Sequence, residues 1–124
     1  MELSVTMSTG EKLLRKAAEF FEKIGMEIAV VQDRVGMVMP RILCMLINEA
    51  YFALTESVAA PRDIDTAMKL GTNYPLGPVE WSDRIGVKNV AAVLDALHAE
   101  LGEDRYRVAP ALRQLAGGPK WWKG

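Results

Sequence analysis

Asp63-Ile64-Asp65-Thr66-Ala67-Met68-Lys69-Leu70-Gly71-Thr72-Asn73-Tyr74-Pro75-Leu76-Gly77-Pro78 passes from helix to rigid turn and back to helix, and it decides the fold. Pro61 opens the first of these helices, because a proline at the first helical position gives up an N–H that would be unpaired anyway. Asp63 and Asp65 then lie at the positive end of the helix dipole, and Gly71 supplies the stop. Residues Asn73 to Pro78 carry two prolines and a glycine, which makes a stiff connection, and Pro78 starts a further helix that closes at Gly86.

Working outward, both flanks are helical. Upstream, Pro40 suits a first turn, and Arg41 to Val58 forms a long helix with Leu43, Leu46, Ile47, Ala50 and Leu54 on one side. Its polar residues Arg41, Asn48 and Thr55 recur every seven, which leaves a thin polar stripe on a helix apolar nearly all round. Such a helix must be buried, against its own domain or a partner subunit. Downstream, Val87, Val90, Ala91, Leu94, Leu97 and Leu101 mark an amphipathic helix ended by Gly102. Pro110 to Leu115 is a last short helix, broken by Gly117-Gly118-Pro119.

The N-terminal quarter reads differently. Leu3 to Met7 alternates as a short strand, and Ser8 with Glu11 carries a capping-box signature. Leu13, Leu14, Ala17, Phe21 and Ile24 follow at helical spacing up to Gly25. Ile28-Ala29-Val30-Val31 reads as a buried strand. One strand–helix–strand unit is too little for a sheet of its own, and its strands need pairing from this chain, a sister chain or another module. The fold class is therefore mostly α: a helical bundle over residues 35–124 with a short βαβ appendage over residues 1–34.

The chain's 124 residues suit one domain-sized core. Fifteen basic residues against sixteen acidic ones, with no basic run, exclude a phosphate-backbone footprint for nucleic acid. Cys44 is the only cysteine, so no intrachain disulfide forms, and its apolar neighbours Leu43 and Met45 make it a buried small hydrophobe. No secretory leader is visible. The longest apolar segment, Ile42 to Leu54, contains Asn48 and Glu49 and is shorter than the ~20 residues of a membrane span. The expectation is a cytoplasmic protein that does not enter the membrane.

Chemistry-bearing residues are few. No Gly-x-Gly-x-x-Gly follows a strand, so no phosphate-cradling turn exists. His98, the only histidine, lies between Leu97 and Ala99 with Asp95 one turn back and reads as a surface residue. One histidine and one cysteine do not make a zinc site. Asn48 and Glu49 form a polar pair inside an apolar helix. They read as a structural network with Arg41 or Asp83, or as a polar wall facing a ligand. The turn around Asn73 to Trp81 is a stiff connection, or else Pro75, Leu76, Val79 and Trp81 line an apolar pocket.

Together, the Asp63–Pro78 block and Ile47-Asn48-Glu49-Ala50 resemble the C-terminal, substrate-side domain of NAD-dependent 3-hydroxyacyl-CoA dehydrogenases. The likeness runs from about Ser8 to Ala111, and Gly102-Glu103-Asp104-Arg105-Tyr106-Arg107 is similar to the family's C-terminal region. The resemblance implies that Leu3–Asp33 is the last strand–helix–strand of a Rossmann domain, and that Gly36 to Leu115 is the helical domain that builds a homodimer and closes over acyl-CoA. It implies NAD for the complete enzyme but no cofactor or catalytic residue in this chain, since the family's catalytic histidine and glutamate belong upstream. The Rossmann part would then come from elsewhere, such as a separate chain.

It also implies substrate contacts at Pro40, Pro75, Leu76, Val79 and Trp81. Two departures stand out. The family's Gly-Phe-x-x-Asn-Arg reads Gly36-Met37-Val38-Met39-Pro40-Arg41 here, so a proline without a side-chain donor replaces the asparagine. The family's glycine-rich ending is replaced by Gly117-Gly118-Pro119-Lys120-Trp121-Trp122. The expected function is the substrate-side and dimerisation portion of such an enzyme, inactive alone; the alternative is an acyl-CoA-binding or assembly module without chemistry.

Overall fold

The computed structural model describes residues 1–117; the Gly118-Pro119 break and the Trp121-Trp122 ending lie outside the described residues. At the N-terminus, β1 (Glu2–Val5) and β2 (Ala29–Gln32) pair in parallel across the crossover helix α1 (Glu11–Lys23). Leu3 stands opposite Val30 and Ser4 opposite Val31. The half-covered residues of α1 are Leu14, Ala17, Ala18 and Phe21, the spacing of one helical face. That face lies over Leu3, Val5 and Val30 loosely, with clefts of about 330 and 370 Å³ left between helix and sheet.

One alternative left open by the sequence is decided in this unit, and two expectations change. The strands find their partner in each other, so no outside strand is needed for the pair itself. β2 is not buried: Ala29, Val30 and Gln32 are exposed, Val30 to 53%, because one helix on one face cannot enclose a sheet. The Ser8–Glu11 capping box does not form. Gly10 stands at the N-cap without a side-chain bond, and the Thr6 hydroxyl bonds those of Ser8 and Thr9, Thr9 Oγ1 also accepting from the Thr6 N–H at 3.1 Å.

The remainder is helical: α2 (Met39–Thr55), α3 (Pro61–Thr72), α4 (Pro78–Ile85), α5 (Val87–Leu101), a 3-10 turn (Asp104–Tyr106) and α6 (Pro110–Leu115). α2 is the central strut, packed against α4, α5 and α6, while α3 leans on α4. Cys44, Ile47 and Tyr51 of α2 meet Val90, Ala91 and Leu94 of α5, with Val108, Ala109 and Leu112 closing the core. α2 ends at Thr55 rather than Val58. Ser57 turns left-handed (φ 58°) and the Val58 N–H donates to the Ala53 carbonyl, a six-residue closure that satisfies an orphan carbonyl.

Nor is α2 buried all round: Met39 and Ile42 are more than half exposed. Gly71 lies inside α3, and Asn73 (φ 56°) is the residue that ends it, since asparagine tolerates the left-handed region. The Glu2 side chain hydrogen-bonds across the two parts. The Glu2 carboxylate accepts the Met39 N–H at 2.7 Å and the Val38 N–H at 3.2 Å, at the start of α2.

Candidate functional site

The Asp63–Pro78 block is held by one carboxylate. Asp65, buried on α3, reaches across to the start of α4, where its oxygens accept the N–H groups of Val79 (2.8 Å) and Glu80 (3.1 Å). These are orphan donors of α4's first turn, and an N-cap side chain would ordinarily take them. Gly77 holds the N-cap position and has no side chain to offer; a Cβ there would overlap the Asp65 carboxyl. Glycine is thus required so that an aspartate from another helix can do the capping. Glu80 completes the joint by accepting the Gly77 N–H at 2.9 Å and pairing with Lys69 of α3 at 2.9 Å. The Gly77 N–H, and then Lys69, hold the Glu80 carboxyl below its usual range. Reading Asp65 as a dipole partner of its own helix missed this role; the spacing Asp65…Gly77-Pro78-x-Glu80 is the signal that carries it.

Asn48 does similar work between α2 and the segment entering α6. Its Nδ2 donates to the Arg107 carbonyl at 2.9 Å and its Oδ1 accepts the Ala109 N–H at 2.8 Å. Neither Arg41 nor Asp83 is its partner, and Glu49 points the other way, exposed on the surface. Arg41 instead donates to the hydroxyl of buried Tyr106 and lies 5.3 Å from its ring centre, with Arg105 4.9 Å from the same ring. Around this pair opens a cleft of about 320 Å³, lined by Arg41, Ile42, Met45, Leu46 and Glu49 of α2 and closed by Arg105 and Tyr106. Arg105 and Tyr106 stand in the sequence reading only within the Gly102–Arg107 resemblance and without a site role, because a three-residue element leaves no periodicity to read.

The residues expected to line an acyl pocket are divided. Pro75 is exposed, Leu76 and Val79 are half-covered, and Trp81 packs its indole against the core and, at 5.2 Å, against Tyr74. Pro40 lies in the first turn of α2, and none of the five lines the Arg41–Tyr106 cleft. Cys44 is buried, which pushes its thiol pKa up and leaves it protonated at neutral pH. Asp95, the acid one turn before His98, binds Arg113 in two hydrogen bonds, one of 2.7 Å, and among the described residues it makes none to His98. Among the described residues no helix is long and apolar enough to cross a membrane.

Comparison with known proteins gives this geometry a family. The chain is 42% identical over 82% of its length to 3-hydroxyadipyl-CoA dehydrogenase of Escherichia coli, spanning 22% of that protein. It is 40% identical over 86% of its length to a probable 3-hydroxybutyryl-CoA dehydrogenase of Deinococcus radiodurans, spanning 38% of it. The solved (S)-3-hydroxybutyryl-CoA dehydrogenase of Ralstonia eutropha superimposes with a TM-score of 0.86 at 35% identity, over 91% of this chain and 40% of that one. The chain therefore spans less than half the length of these relatives. Residues 36–120 match the family described as 3-hydroxyacyl-CoA dehydrogenase, C-terminal domain, and the chain belongs to that family.

Proposed function

We propose that this chain serves as the substrate-side and dimerisation portion of an enzyme that oxidises 3-hydroxyacyl-CoA to 3-oxoacyl-CoA with NAD. The observation that carries the reading is the β1–α1–β2 unit: a two-stranded parallel sheet covered by one helix, with apolar Val30 exposed, is an excerpt of a larger sheet. Residues 1–34 then complete a dinucleotide-binding domain, and residues 35–124 form the helical domain. NAD itself does not fit the residues present. The two strand-to-helix connections, β1 to α1 and β2 to α2, hold one glycine each, Gly10 and Gly36; a Cβ at Gly10 would meet nothing within 4 Å, and neither connection has the glycine run of a phosphate cradle. A pyrophosphate cradle needs glycines drawn close to a strand or a phosphate.

In this reading the chain's own residues position and shield. Asp65, Gly77 and Glu80 fix the α3–α4 corner, and the exposed Pro75 with half-covered Leu76 and Val79 offer an apolar edge to an acyl chain. Pro40, in the family's asparagine position, contributes shape and no hydrogen bond. The exposed apolar residues of α2 serve a homodimer, the commonest closed assembly.

The test is spectroscopic. With acetoacetyl-CoA and NADH, the chain alone leaves absorbance of the reduced cofactor unchanged, and adding the N-terminal portion of a family enzyme starts its decay. Turnover by the chain alone would contradict the proposal. For the acyl edge, a variant with Trp121 and Trp122 replaced by Phe reports Trp81 emission alone. A long-chain acyl-CoA then quenches it, at an affinity of roughly micromolar or weaker, about −8 kcal/mol. No change at millimolar ligand would leave residues 73–81 a purely structural turn.

A further inference from the structure

We draw no further inference here: the strongest candidate, the cleft of about 320 Å³ between α2 and the 3-10 turn, belongs to the α2 face already given to the homodimer, and its two arginines bind Tyr106 and Glu103 within the chain, so nothing in the structure shows what else covers it.

Discussion

The β1–α1–β2 unit and the α2–α6 bundle are built from equally clear sequence patterns, yet only one of them has an interior. Every fully buried side chain among the described residues comes at or after Cys44; α1 has none. In the bundle, Ile47, Val90, Leu94, Leu97 and Leu112 lose all solvent contact, and the buried polar groups Asn48, Asp65 and Ser82 each have partners. In the N-terminal unit, Leu13 and Phe20 of α1, Ile24 just after it and Val30 of β2 stay more than half exposed. Amphipathic spacing thus says that a face will be covered and leaves open by what. Where the covering elements lie within the chain, a core forms; where they do not, the pattern persists as exposed apolar surface.

The largest effect that could break this contrast is in the core. Leu94→Ala should cost about 3 kcal/mol in denaturant unfolding, the range for a fully buried leucine. A loss below about 1 kcal/mol would mean that the bundle is no better packed than α1. Next comes the α3–α4 joint. Asp65→Ala strands the Val79 and Glu80 N–H groups and should cost about 2 kcal/mol, and Gly77→Ala should be of similar size because its methyl displaces the same carboxylate.

A smaller effect is pH-dependent. The Gly77 N–H and Lys69 depress the Glu80 pKa, and Arg113 depresses that of Asp95, so the folded state holds fewer protons than the unfolded one. Their contribution is complete well above the ordinary carboxylate pKa of about 4 and is lost as pH falls through the depressed folded values. Unfolding midpoints measured down that range should fall, and Glu80→Gln should remove part of the slope. The smallest effect belongs to the other region: Leu13→Ala, at the exposed rim of the cleft between α1 and the sheet, should change stability by less than about 0.5 kcal/mol.

How much of this was legible in the sequence follows from the same contrast. Helix starts at Pro61, Pro78 and Pro110, and the stops at Gly86 and Gly102, agree with the structure because proline and glycine act through local backbone geometry. Asn73 displaced Gly71 as the end of α3 because asparagine also accepts a left-handed backbone. The partners of Asp65 and Asn48 were hidden, since both bonds join residues at least fourteen positions apart. The buried strand expected at residues 28–31 failed because composition registers apolar character and not the elements available to cover it. Glu49 was paired with Asn48 by adjacency, although successive helical residues point about 100° apart.

Amide hydrogen exchange on the intact chain under native conditions tests the contrast most directly, because it reads the opening free energy of each segment separately. Amides in the middles of α2 and α5 should exchange only through global unfolding, while those of β1, β2 and α1 exchange orders of magnitude faster. Equal protection in the two regions would contradict the claim that the N-terminal unit lacks the elements that would bury it.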